Sequence, residues 1–66
     1  MRLLYTTRHG AGRVEQIADR DVACARLTML WRKKTEARLY DHQTLVGESW
    51  RYGHEYLLVW TLEATP

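Results

Sequence analysis

Aromatic and aliphatic side chains alternate with polar ones near the amino terminus. Over residues 2–8, Leu3 and Tyr5 fall on the same side, and this period of two is typical of a β-strand. Residues 9–12 interrupt the alternation, because two glycines within three positions supply the positive φ angles of a tight reversal. Residues 13–17 are therefore predicted to return as the second strand of a hairpin. A helix that begins at residue 13 is the competing interpretation.

A different period appears over residues 20–34. Apolar side chains recur there at spacings of three and four, which predicts one amphipathic helix. The apolar stripe consists of Ala23, Leu27, Leu30 and Trp31, with Cys24 at its border. Asp19 and Asp21 are expected to cap the helix, because carboxylates accept bonds from unpaired backbone N–H groups. Each cation of the run 32–34 stabilises the carbonyl end by about 0.3–1 kcal/mol.

The alternation returns after this helix. It covers residues 36–41, 45–52 and 55–63, which are separated by the polar break 41–44 and by Gly53. We therefore predict an α+β fold, in which an antiparallel β-sheet of β-β-α-β-β-β order carries one amphipathic α-helix on one face. The chain is expected to form a single compact domain over residues 1–66, frayed at residues 64–66.

The last predicted strand is apolar on both sides. One side carries Tyr56, Leu58, Trp60 and Leu62, and the other carries Leu57 and Val59. A single helix covers only one face of a sheet, so apolar side chains on the other face need a second cover or form an exposed patch. The open side of the sheet is thus a predicted partner-binding surface, with Trp50, Tyr52, Tyr56, Leu57 and Val59 as its candidate residues.

The length of the chain limits its stability. A chain of 66 residues buries only about 60% of the surface that its unfolded form exposes. Its one cysteine, Cys24, excludes an internal disulfide, and no zinc-binding spacing of cysteine and histidine is present. Association with another molecule is then the remaining source of stability. We expect either a homodimer or a complex with a protein partner.

Candidate catalytic groups are few. His9, His42 and His54 fall in predicted turns, and two of them adjoin a carboxylate, so a small hydrolase or nuclease that uses a turn histidine is one hypothesis. Turn histidines are usually solvated, and adjacent strand residues point to opposite faces. Cys24 borders an apolar stripe, where a thiol normally behaves as a small hydrophobe. We expect no enzymatic activity, no metal and no cofactor.

Nucleic-acid binding is the alternative function. Aromatic side chains on an open sheet face can stack bases while cations neutralise phosphates, and the candidate cations are Arg32, Lys33, Lys34, Arg38 and Arg51. Glu36, Glu48 and Glu55 lie on the same predicted strands and would repel a phosphate backbone. The net charge of +2 is too small to identify a nucleic-acid binder.

A protein-binding module fits this composition better, because interface centres favour tryptophan, tyrosine and arginine inside a rim of mixed charge. We expect a small phage- or mobile-element-encoded inhibitor that blocks a host enzyme or nucleoprotein complex by steric occlusion. The analogy is with the size and style of small anti-CRISPR proteins and does not rest on a shared motif. The apolar run at the amino terminus is too short for a signal peptide or a membrane span, so a cytoplasmic location is expected.

Overall fold

A computed structural model of the chain describes residues 1–61 and has the predicted order of strands and helix. The elements are β1 (Arg2–Thr6), β2 (Gly12–Gln16), α1 (Arg20–Arg32), β3 (Ala37–Asp41), β4 (Thr44–Tyr52) and β5 (Glu55–Trp60). The strands form one antiparallel sheet in the order β2-β1-β3-β4-β5, and α1 packs against one face of it. The predicted α+β class is confirmed. The predicted continuation of the last strand to Glu63, with Leu62, and the frayed end at residues 64–66 lie outside the described residues.

The first hairpin forms as the alternation and the glycines predict. Gly10 has a φ of 84°, and the reversal closes when the Thr7 amide donates to the Ala11 carbonyl at 2.7 Å. Positive φ is easily reached only without a Cβ atom, so Gly10 allows the chain to turn here. Since β2 pairs with β1 from Gly12 to Gln16, the competing interpretation of a helix from residue 13 is wrong.

The helix begins and ends at hydrogen-bonded caps. Asp19 is the N-cap, and its Oδ1 accepts from the Asp21 amide at 2.8 Å and the Val22 amide at 3.2 Å. Asp21 lies in the first helical turn instead of capping it, where its charge still opposes the positive end of the dipole. The carboxyl end closes two residues earlier than predicted. The Lys34 amide donates to the Trp31 carbonyl at 3.0 Å, and the Thr35 amide to the Leu30 carbonyl at 2.9 Å.

The core lies between α1 and the three central strands. Within residues 1–61 it contains seven buried apolar side chains: Leu3, Ala23, Leu27, Leu30, Ala37, Leu39 and Val46. The predicted helical stripe therefore faces the sheet. Trp31 is only half-buried, and its indole Nε1 donates to the Tyr56 carbonyl at 2.6 Å. This bond attaches the last full turn of α1 to β5.

A β-bulge in β4 shapes the core beneath the helix. Leu39 pairs with Gly47, and the next residue of β3, Tyr40, pairs with Leu45, so Val46 is the additional residue. Both Val46 and Gly47 are buried on the helix side as a result. A Cβ atom at Gly47 would lie 2.6 Å from the Trp60 ring, so the absence of a side chain lets this ring cover the core.

Candidate docking face

Cross-strand pairing determines which side chains point away from the helix. Leu3 and Leu39 are buried under α1 and pair with each other, so their chain neighbours Leu4 and Arg38 point to the opposite side. Continuing this alternation along the paired strands defines the open face, whose side chains are those of Arg2, Leu4, Thr6, Val14, Gln16, Arg38, Tyr40, Leu45, Glu48, Trp50, Tyr52, Glu55, Leu57 and Val59. More than half of these side chains are apolar or aromatic.

Much of this apolar surface is accessible to solvent. Val14 is 61% exposed, Tyr52 65%, Leu57 36% and Val59 40%. On the opposite side of β5, Leu58 and Trp60 pack against the core. The prediction that β5 is apolar on both faces is therefore confirmed over Glu55–Trp60, and no other described element covers the side turned away from α1.

A groove crosses the open face from β2 to β4. Trp50 and Tyr52 form an edge-to-face pair with ring centroids 5.7 Å apart and an interplanar angle of 86°. Trp50 stands at one side of a groove of about 420 Å³, and Leu4 and Val14 line it on the other side, with Arg38 and Glu48 between them. A groove with apolar walls and a polar floor suits side chains of another protein.

Few charges lie on the open face, and its positive and negative side chains belong to different strands. Arg38 and Glu48 occupy paired positions of β3 and β4, and their side chains approach to 3.6 Å between Nε and Oε2. The Arg2 guanidinium lies 5.7 Å from the centre of the Tyr40 ring. Cations are thus found on β1 and β3, whereas the carboxylates of Glu48 and Glu55 belong to β4 and β5.

Four of the five candidate partner-binding residues are on this face. Trp50 pairs with Leu57, and Tyr52 and Val59 point to the same side. Tyr56 pairs with Arg51 on the side that carries α1, so it is separated from the other four. Its carbonyl is also the acceptor for Trp31.

Leu4 and Val14 belong to the face although the sequence did not single them out. They occupy paired positions of β1 and β2. Each is apolar at a position where alternation turns it away from the core. Only the pairing of β1 with β3 shows that they extend the same surface as β4 and β5.

The candidate cations do not assemble on one surface. Arg38 is on the open face, whereas Arg51 is on the helix side, where its Nε donates to the Gly53 carbonyl at 2.9 Å. Lys33 and Lys34 follow α1 and line a separate groove with Arg8 and Tyr56. Arg32 is exposed in the last turn of the helix. The expected combination of stacking rings with a row of cations is therefore divided between two sites.

The three histidines do not converge either. His42 lies in the β3–β4 turn, at the end of the sheet opposite the turns that carry His9 and His54. Its Nε2 atom is 3.9 Å from Asp41 Oδ1, and its side chain is almost fully exposed. Cys24 packs half-buried against the core. Within residues 1–61, no three histidine, cysteine or acidic side chains are grouped to hold a metal ion.

One polar cluster lies on the helix side of the sheet. Tyr5 donates its hydroxyl to Glu15 Oε2 at 2.6 Å, and Arg26 donates Nη2 to the same oxygen at 2.8 Å and Nε to Oε1 at 3.2 Å. The bonds from Arg26 and then from Tyr5 lower the pKa of Glu15. Hydrogen bonding to Glu15 raises the pKa of both Tyr5 and Arg26. All three groups are stabilised in the charge states they hold at neutral pH, so this cluster fastens α1 to β1 and β2.

Comparison with protein-family models, curated proteins and solved structures finds no match for this chain. In the part of the chain that the structure describes, no helix combines the length and apolar content needed to cross a membrane.

Proposed function

We propose that this chain is a small non-catalytic protein-binding module that docks through its open face. The observation that carries the proposal is the exposure of Val14, Tyr52, Leu57 and Val59 on one side of one sheet. Exposed apolar groups that share a surface mark interaction sites more often than scattered ones do. Burial of this surface against a partner also supplies stability that a seven-residue core lacks.

The chemistry of the face supports protein as the ligand. The face combines Trp50 and Tyr52 with Arg38, the residue types that dominate the binding energy of protein interfaces. Glu48 shares this surface and would repel phosphates, but it provides the mixed charge that orients a protein partner. Chemistry and shape thus agree on a protein ligand.

Such a module acts by covering a surface that its partner needs. The open face belongs to a regular sheet, so docking requires little backbone ordering, which lowers the cost of binding. The mode of action we propose is steric occlusion, as in a small inhibitor of a host enzyme complex. Phage or mobile-element origin stays a prediction from the length of the chain.

A paired set of variants tests the proposal. The double variant Leu57→Asn/Val59→Thr makes the open face polar, and Val22→Thr/Met29→Gln makes equivalent changes at exposed positions of α1. We expect affinity capture from a host lysate, quantified by mass spectrometry, to retain a protein with the wild type and the helix variant. Retention by the face variant should fall by about tenfold or more, as expected when interface anchors are lost.

Two results would contradict the proposal. Equal capture by both double variants would show that the open face is not the docking surface. Loss of the captured protein after nuclease treatment would favour the nucleic-acid alternative, because the contact would then depend on a phosphate backbone. Circular dichroism and thermal melting of each variant establish that the fold is intact.

A further inference from the structure

Four of the five residues in one row of the open face form a symmetric chemical pattern, and the fifth, Val14 on the edge strand β2, lies outside it. Leu4 pairs with Arg38, Arg38 with Glu48, and Glu48 with Val59. Across the four strands β1, β3, β4 and β5, the row therefore reads apolar, basic, acidic, apolar. All four side chains point away from α1, and Arg38 and Glu48 are its central pair.

This pattern matches itself under a two-fold rotation. The two-fold axis runs parallel to the strands and lies above the sheet, between β3 and β4. A second copy generated by this axis has its β3 over β4 of the first copy, and its β4 over β3. Arg38 of each copy then faces Glu48 of the other, and Leu4 faces Val59. The rotation also places Tyr40 over Leu45, which is its neighbour across the β3–β4 pair. Sheets pack face to face at about 10 Å, a distance that side chains from both copies fill.

We infer that the open face binds a second copy of this chain, and that the two sheets stack about this axis. The inference rests on the proposed function, since both require the open face to be a protein-binding surface. It adds the identity of one occupant and the contacts that select it. Opposite charges at the centre fix the register, while the flanking apolar side chains supply buried area.

The central charges have capacity for contacts to a second copy. Arg38 and Glu48 of one chain are 3.6 Å apart, which is longer than a hydrogen bond, and the arginine side chain is 65% exposed. A guanidinium has five N–H donors, so most of them remain available to a carboxylate across the interface. Each dimer would hold two such inter-chain contacts because of the symmetry.

Self-association and partner binding then compete for one surface. A partner that docks on the open face must displace the second copy, so its apparent affinity would weaken as the concentration of this chain rises. Dimerisation and the proposed inhibition therefore oppose each other.

Charge reversal in two separate chains tests the arrangement. Sedimentation velocity should show a dimer for the wild type. Arg38→Glu and Glu48→Arg should each weaken self-association roughly 100-fold or more, because each puts like charges face to face at two places. When the two single variants are mixed, both inter-chain contacts become opposite charges again. A heterodimer should then form with near wild-type affinity, which no contact within one chain can explain.

Two further variants serve as controls for net charge and for folding. Lys33→Glu changes the net charge as Arg38→Glu does but lies outside the open face, so it should remain dimeric. Val59→Asn removes the flanking apolar contact without adding a charge beside Glu48 and should also weaken the dimer, which keeps the test valid if a charge variant does not fold.

A wild type that stays monomeric up to its solubility limit overturns the inference, as does a dimer that survives both reversals. Failure of the mixed variants to associate also overturns it. A monomer whose capture of another protein depends on Leu57 and Val59 would still support the proposed function.

Discussion

Lys34 occupies a backbone conformation that suits glycine better than lysine. Its φ is 57°, and it follows the helix cap Lys33 at the position where the two closing bonds to Trp31 and Leu30 require a left-handed residue. This conformation costs an ordinary side chain about 1–2 kcal/mol, and glycine avoids that cost but loses about 0.5–1 kcal/mol of chain entropy on folding. The two amounts predict a net gain from replacement.

We expect Lys34→Gly to raise the free energy of unfolding by about 0.5–1 kcal/mol. Urea denaturation followed by circular dichroism measures the change. Lys33→Gly is the matched control, because Lys33 has a φ of −88° and gains nothing from glycine. If both variants lose stability equally, removal of the cation near the helix dipole outweighs the conformational gain.

The Tyr5–Glu15–Arg26 cluster joins α1 to the paired strands β1 and β2. Bonds from Arg26 and Tyr5 lower the pKa of Glu15 in the folded chain. The carboxylate therefore stabilises the fold above its unfolded pKa, near 4.5, and this contribution disappears as the pH falls through the folded value. Acid should therefore weaken the contact between the helix and the first hairpin.

Glu15→Gln is expected to destabilise the fold by about 0.5–1 kcal/mol at neutral pH, the upper part of the range for partly exposed ion pairs. The difference from wild type should shrink between neutral pH and an acidic pH below 4.5, because Glu15 loses its charge in the folded chain as the pH falls through its lowered pKa. Chemical denaturation at both pH values measures it. Glu55→Gln, at an exposed position without an ion pair among the described residues, should change little. A difference independent of pH would contradict the assignment.

The sequence predicted the elements because their signals are local. Period-two alternation, the glycine turns and the Asp19 cap each lie within a few residues, and these features gave the order of strands and helix. Sheet order depends on pairing between distant segments, so the insertion of β1 between β2 and β3 had no local signal. The bulge at Val46 likewise depends on the partner strand.

The same difference between local and long-range signals explains which residues of the candidate site could be predicted. Trp50, Leu57 and Val59 were identified because alternation within one strand decides their side. Tyr56 was grouped with them by residue type, although counting along β5 places it on the other face. Val14 and the Tyr5–Glu15–Arg26 cluster were missed, because their positions depend on how the first hairpin packs with the rest of the sheet and with α1.

Stability of the whole chain rests on few buried side chains. At about 0.05–0.15 kcal/mol per residue, a chain of 66 residues has roughly 3–10 kcal/mol of unfolding free energy. Leu27 is completely buried at the centre of the core, and Leu→Ala substitutions in cores cost about 2–5 kcal/mol. One such change removes a large share of the total.

We therefore expect Leu27→Ala to lower the free energy of unfolding by about 2–5 kcal/mol, which leaves the chain substantially unfolded at 37 °C if the wild type lies in the lower part of its range. Met29→Ala, at an exposed position of the same helix, should stay within about 0.5 kcal/mol of wild type. Amide dispersion in two-dimensional NMR spectra at matched protein concentration distinguishes the two. A well-dispersed spectrum for Leu27→Ala would show that the core stores more stability than its size indicates.

The hydrogen bond from Trp31 to Tyr56 affects whether chains can aggregate by adding strands to the edge of the sheet. β5 is an edge strand, and the Thr61 amide donates to Val46 in β4, so alternation turns the backbone groups of Tyr56 outward. Because the indole already occupies the Tyr56 carbonyl, an added strand would find its hydrogen-bond ladder interrupted near the start of β5. Open-ended growth into amyloid-like fibres along this edge is thereby disfavoured, although six nearly uncharged residues would otherwise make a good template.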